Sequence, residues 1–275
     1  VDIAVTYECQ CRCKHCSAAG LKDLKRDEMN IDEIGSAIKQ AASLGAIHIN
    51  ITGGEPLLRN DIRDIIKLIG SNGCISSLNT NGILLDRESA RALKEAGLDT
   101  LMVSIDSLDV KEHDSFRGFK GCFKSAISAV QESVSIGMNT IVCTIATKDK
   151  IKNGNMERIL KHVKEMGASS LVNIPAPVGR WKHKRVKLDR DDVVKLESIM
   201  ESYGARRCCM DYNYLRRGCP AGTENIFITA YGDVLPCDFI QTPFGNIKEE
   251  PLKIIWNRMH KGGFSRMFDR CIGCE

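Results

Sequence analysis

The chain has 275 residues, 43% of them hydrophobic, and 39 lysines and arginines against 35 acidic residues give a formal net charge of +4. That length suits one large α/β domain, alone or with a small appendage, and so mild a charge gives no argument for nucleic acid, while no apolar run is long enough to span a bilayer. Thirteen cysteines, odd in number, unevenly spaced and without a secretory leader, point to reduced thiolates serving as metal ligands in the cytoplasm rather than to a disulfide framework.

In chain order, Ile3–Thr6 is the first predicted strand, and "YECQCRCKHC" follows it with Cys9, Cys11, Cys13 and Cys16. A pattern then recurs: a helical stretch ends at a glycine and an apolar, β-rich run begins at once. The glycines are Gly45, Gly73, Gly97, Gly137 and Gly167, placed where a helix end favours the left-handed conformation. Asn30 with Glu33 forms a capping pair before Ile34, Ile38, Ala41 and Ala42, and Asp86 plays the same part before Ala90 and Leu93. Counting Ile3–Thr6, the pattern gives six strands, each parallel to the next, and right-handed crossovers wind them into a partial (β/α)6 TIM-like barrel. Active sites in such folds lie at the C-terminal ends of strands. There stand the cysteines after strand one, "TGGEP" after strand two, "NTNG" after strand three and "SIDS" after strand four, which points to one shared site.

The repeat stops near Pro177. The predicted division is a barrel over 1–178, a connecting segment over 179–207 with one helix at Asp189–Tyr203, and a small cysteine-bearing domain over 208–275 with a hairpin turning at Gly232–Asp233. The stretch "GRWKHKRVK" reads as a solvated face or an anion site. It borders the barrel mouth, so Arg180, Lys182, Lys184 and Arg185 suit an acidic head group and Trp181 a ring-shaped part of a substrate.

Cys9, Cys13 and Cys16 make C-x3-C-x2-C. Three thiolates on a short loop can hold three corners of a four-iron cluster and leave the fourth iron open, with Cys11 turned elsewhere; the alternative is a zinc knuckle using all four thiols. Cys74, Cys122 and Cys143 read as core. With "GGEP" (Gly53, Gly54, Glu55 and Pro56) after the second strand, the sequence resembles the radical S-adenosylmethionine (radical SAM) superfamily. The resemblance implies a 4Fe-4S cluster whose open iron is chelated by SAM, and an electron from the cluster that cleaves the sulfonium to a 5′-deoxyadenosyl radical. That radical takes a hydrogen atom from a substrate C–H bond. It further implies that Gly53 and Gly54 let backbone approach the methionine end, and that carbonyls there, or Glu55, accept from the ammonium. By position, Thr80, Ser104 and Asp106 are further candidate SAM contacts and Arg117 a fork for the SAM carboxylate; each also reads as a structural strand-end residue.

The tail carries Cys219, Cys237, Cys271 and Cys274, spaced C-x17-C and then C-x2-C, with Gly232 inside the first interval. This resembles the SPASM domain, or its shortened twitch form, and implies one auxiliary 4Fe-4S cluster; a zinc ribbon is the alternative. Cys208 and Cys209 are adjacent and read as buried. "PCDF" is similar to a stretch in anaerobic sulfatase-maturating enzymes, which makes Asp238 a candidate proton acceptor as well as a turn aspartate. The implied activity is C–H activation on a peptide, lipid or small metabolite, with electrons from a flavodoxin- or ferredoxin-type donor. The alternatives are a non-catalytic iron–sulfur protein and a zinc-binding interaction module.

Overall fold

A computed structural model describes residues 1–207 and 220–261. Its strands are β1 (Asp2–Thr6), β2 (His48–Gly53), β3 (Ile75–Thr80), β4 (Thr100–Ser104), β5 (Asn139–Ile145), β6 (Ser169–Asn173) and β7 (Arg206–Arg207). The helices between them are α1 (Ile31–Ser43), α2 (Ile62–Ser71), α3 (Arg87–Glu95), α4 (Val110–Arg117), α5 (Cys122–Ser135), α6 (Lys148–Lys152), α7 (Asn155–Glu165) and α8 (Arg190–Tyr203). β1 to β7 lie side by side in sequence order, every pair parallel. The crossover pattern thus yields the expected α/β partial barrel. The local signals act as read: Asn30, Asp86 and Asp189 each close a reciprocal capping box. The five repeat glycines all have positive φ.

Alternation along the strands sorts the two faces. Ile3, Val5, Ile49, Ile51, Leu78, Leu101, Val103 and Val142 point outward and form one core with Ile34, Ile38, Ile65, Ile66 and Ile69 of the helices. Burying each such side chain contributes about 1.5–3 kcal/mol. The alternate residues line the concave face in rows. One row is Asp2, Asn50, Ser77, Thr100 and Asn139; the next includes Asn79, Met102, Ile141 and Ser169, and a third Ser104, Cys143, Leu171 and Arg206. The first row is tied into a polar floor. Asn50 Nδ2 donates to Asp2 Oδ1 (2.6 Å), and Ser77 Oγ (2.8 Å) and Asn79 Nδ2 (2.9 Å) both donate to Asn50 Oδ1.

Two features go beyond the repeat. The two-residue β7 adds a seventh parallel strand after α8. On the opposite side, the C-terminal hairpin joins the main sheet: β8 (Phe227–Ile228) runs parallel to β1, and β9 (Val234–Leu235) runs antiparallel to β8. Gly232 makes the turn at φ +89. A further helix, α9 (Leu252–Lys261), places Leu252, Ile255 and Met259 in the same core as α1. This hairpin covers the backbone edge that β1 would otherwise expose. Among the described residues no helix is long and apolar enough to cross a membrane.

Candidate active site

The cysteine loop leaves the C-terminal end of β1 and is clamped on three sides. On the β2 side, Gly54 N donates to Thr6 O (2.7 Å) and Glu55 N to Glu8 O (2.8 Å). A Cβ on Gly53 would overlap Thr6 O, and one on Gly54 would overlap Glu8 O. The space that glycine leaves open at these positions is therefore filled by the chain's own backbone. On the α4 side, Arg12 N donates to Arg117 O (3.0 Å) and Lys14 N to Phe116 O (2.8 Å). The third clamp is the short helical turn Gly179–Trp181, whose Arg180 N donates to Cys16 O (3.1 Å) and Arg180 Nη1 to Cys13 O (3.3 Å). Trp181 is buried near Phe116 and His15 (centroids 6.1 and 5.8 Å). Packing thus holds the indole that the sequence offered to a substrate. His15 stacks on Phe116 at 4.8 Å, and burial pushes its pKa down to about 3.

The thiols differ in setting. Cys9 is exposed, Cys13 and Cys16 are half-buried and Cys11 is buried. Cys11 turns inward, yet its sulfur shares hydrogen bonds with Cys122, Cys13 and Cys9, which hold its proton on. The Cys11 hydrogen bond, reinforced by Arg117, brings the Cys13 thiol down to about 6; Cys9 is lowered by the same Cys11 contact. Burial raises Cys16. Cys122, read as core, is indeed buried but opens α5 and belongs to this thiol group.

Several candidate SAM contacts have partners within the protein. Glu55 is buried, with Oε1 accepting from Thr80 Oγ1 (2.8 Å) and Leu57 N (3.2 Å) and Oε2 from Asn81 N (2.8 Å). Burial raises it to about 7. Thr80 is therefore bound to Glu55, and it also accepts from Gly82 N (3.0 Å). Pro56 is buried at the start of the turn Pro56–Leu58. Asp106 and Arg117 are partners of each other, Nη2 to Oδ2 at 2.6 Å, with Lys150 Nζ at 3.4 Å on the other oxygen. Burial opposes the Asp106 charge, but Arg117 and Lys150 hold the carboxyl far below the usual range. Arg117 turns its other nitrogen, Nη1, to Cys13 Sγ at 3.9 Å. Ser104 alone of this group lies half-buried on the concave face.

Asn81 is a site residue that the sequence does not single out. Thr80, its neighbour in "NTNG", is the more obvious candidate, but it is Asn81 Nδ2 that reaches Cys9 Sγ (3.9 Å) and Gln10 Oε1 (3.2 Å). In the tail, Cys237 and the half-buried Asp238 lie in a turn closed by Ile240 N to Cys237 O (3.2 Å). Gln241 Nε2 links that turn to the cysteine loop, donating to Asp238 O and Ser17 O, both at 3.1 Å. Cys208, Cys209, Cys219, Cys271 and Cys274 lie outside the described residues.

A family model for the radical SAM superfamily matches residues 3–163, and one for the SPASM iron–sulfur cluster-binding domain matches 219–275. The chain belongs to the radical SAM superfamily. An AdoMet-dependent heme synthase of Methanosarcina barkeri is 26% identical over 92% of this chain and 80% of its own length. A PqqA peptide cyclase of Methylocella silvestris is 26% identical over 92% of this chain and 72% of its own length. In fold, the chain resembles Streptococcus suis SuiB bound to its precursor peptide SuiA, with a TM-score of 0.76, 19% identity and 93% of this chain covered. This chain spans 63% of SuiB, less than two thirds of its length.

A radical SAM enzyme with a SPASM domain uses a SAM-binding 4Fe-4S cluster, auxiliary iron–sulfur clusters and SAM. The first site fits such a cluster. Its donors are all sulfur, as iron–sulfur centres require. Cys9 and Cys13 are shifted toward thiolate, and a side-chain N–H points at each. Cys9, Cys13 and Cys16 are the residues that would hold it, with Cys237 the described thiol of the tail.

Proposed function

We propose that this radical SAM enzyme takes a hydrogen atom from an uncharged, peptide-like substrate laid along the concave face of the sheet. When bound, the cluster and SAM supply one-electron cleavage of the sulfonium and the 5′-deoxyadenosyl radical that abstracts the hydrogen. The chain's own residues do the rest. Cys9, Cys13 and Cys16 fix the reacting centre at the strand ends, and the clamps from Gly53–Gly54, α4 and Arg180 hold their loop. Backbone carbonyls of the "GGEP" turn and Ser104 are the SAM contacts that best fit, because Glu55, Thr80 and Asp106 already have partners. Cys237 joins the tail cysteines around an auxiliary cluster, and Asp238 beside it is placed to accept a proton. The electron comes from an external flavodoxin- or ferredoxin-type donor.

The observation that carries the substrate class is the chemistry of the concave rows. From β2 to β6 their inward residues are amides, hydroxyls, apolar groups, the Cys143 thiol and the His48 imidazole bonded to Ser77, with Asn50, Asn79, Met102, Ser104, Ile141 and Asn173 among them. None is a lysine or arginine. The first cation on this face is Arg206, on the edge strand beside Leu171. A neutral hydrogen-bonding wall complements backbone amides, whereas a carboxylated macrocycle demands cations to offset the cost of desolvating its charges. The peptide cyclase relative and the peptide-bound SuiB support the same reading. The test supplies reduced holoenzyme and SAM with a library of uncharged peptides deuterated at carbon. We expect deoxyadenosine one mass unit heavier. No label from peptides, with turnover stimulated by a carboxylated tetrapyrrole instead, would overturn the substrate class.

A further inference from the structure

We infer that Asn81 and Arg117 set the reduction potential of the first cluster by donating side-chain N–H hydrogen bonds to the Cys9 and Cys13 sulfurs. This rests on the reading above only in assigning that cluster to Cys9, Cys13 and Cys16.

The two donors come from different elements, Asn81 from the end of β3 and Arg117 from the last turn of α4. Each reaches its sulfur at 3.9 Å. Both are held in place by other bonds. Asn81 N donates to Glu55 Oε2, its Oδ1 accepts from Ile83 N at 2.9 Å, and Nδ2 also meets Gln10 Oε1. Arg117 is buried with Nη2 on Asp106, and Asp106 is itself fixed by Ile145 N (2.9 Å) and Lys150. The bonds around Asp106 and Glu55, residues that in sequence look like cofactor contacts, thus orient two donors toward sulfur.

Reduction adds one electron to the cluster, and the extra negative charge spreads onto the thiolates. A donor N–H, and more so a guanidinium, stabilises that charge and makes the cluster easier to reduce. Asn81 and Arg117 act through the sulfurs and are positioning residues, so their effect appears in a potential measured without SAM or substrate.

The experiment is an EPR-monitored titration of anaerobically reconstituted holoenzyme with a low-potential reductant, comparing the unaltered protein with Asn81→Asp, Asn81→Ser and Arg117→Lys. Asn81→Asp keeps the acceptor for Ile83 N but has no N–H for Cys9; Asn81→Ser is the second variant should the added charge expel the cluster. Cys13→Ala supplies the auxiliary-cluster signal to subtract. At the midpoint potential of the unaltered protein, the reduced-to-oxidised ratio is expected to fall about tenfold in an Asn81 variant, a shift of about 59 mV for one electron. Arg117→Lys, which keeps the charge but not the reach, falls in the same direction. Loaded Asn81 variants whose midpoints match the unaltered protein overturn the inference. Iron content unchanged by Cys13→Ala would instead overturn the cluster assignment, a separate result.

Discussion

Replacing Gly54 with alanine should cost the enzyme its first cluster while leaving most of the fold intact. A Cβ there overlaps the Glu8 carbonyl oxygen and lies 2.7 Å from its carbon and 2.9 Å from the Tyr7 carbonyl carbon. Carbon atoms settle at about 3.5–4.0 Å, so the loop must retreat by roughly 1 Å. That retreat breaks Gly54 N to Thr6 O and Glu55 N to Glu8 O. The buried groups left unpaired, Thr6 O and Glu55 N, cost about 1–3 kcal/mol each, so the local penalty is roughly 2–6 kcal/mol. Every 1.4 kcal/mol is about tenfold, so the native loop becomes rarer by roughly one and a half to four powers of ten. The assay is iron and sulfide per chain after anaerobic reconstitution, with circular dichroism for the fold. We expect loss of the first cluster's share of iron and near-native helix content. Gly70, inside α2 with nothing within 4 Å of where an alanine methyl would sit, is the control: Gly70→Ala should stabilise by about 0.5–1 kcal/mol and leave iron unchanged. A Gly54→Ala protein with full iron and an unaltered melting curve would refute the clamp.

Other outcomes follow from the same geometry. Asp106→Asn leaves Arg117 and Lys150 buried without their counter-charge and should lower stability in urea by about 3–5 kcal/mol; an unmoved midpoint would contradict the ion-pair assignment. Glu55 is raised from its ordinary 4.5 to about 7 on folding, so its contribution is fully present below pH 4.5 and lost as pH rises through 7. The change is roughly 3 kcal/mol, and Glu55→Gln should flatten stability over that window; an identical pH profile argues against a desolvated carboxyl. Cys237→Ala should lose auxiliary-cluster iron yet keep some uncoupled SAM cleavage, and full iron retention would remove Cys237 from the ligand set.

Much of the scaffold is legible in the sequence because its signals are local. Capping boxes at Asn30 and Asp86, helix-ending glycines and buried strand runs each act within a few residues, and together they give strand order and the end of the barrel that carries the site. What escapes is long-range. β7 is too short for any period to register, and β8 pairs with β1 across more than two hundred residues with no local mark. The same blindness governs the site. Asp106, Arg117, Glu55 and Thr80 are polar residues near strand ends, and in sequence each reads as facing a ligand. Their partners come from other elements, and a buried charge paired with another buried charge looks, in one dimension, like two exposed candidates. Asn81 and Cys122 escape for the converse reason, since only the folded loop brings them to sulfur.

The most direct test of the whole account is the fate of SAM in the reduced, oxygen-free holoenzyme. The unaltered protein should yield 5′-deoxyadenosine and methionine, and Cys13→Ala neither. A colourless reconstituted protein, or one that holds its iron, accepts electrons and leaves SAM intact, would contradict it.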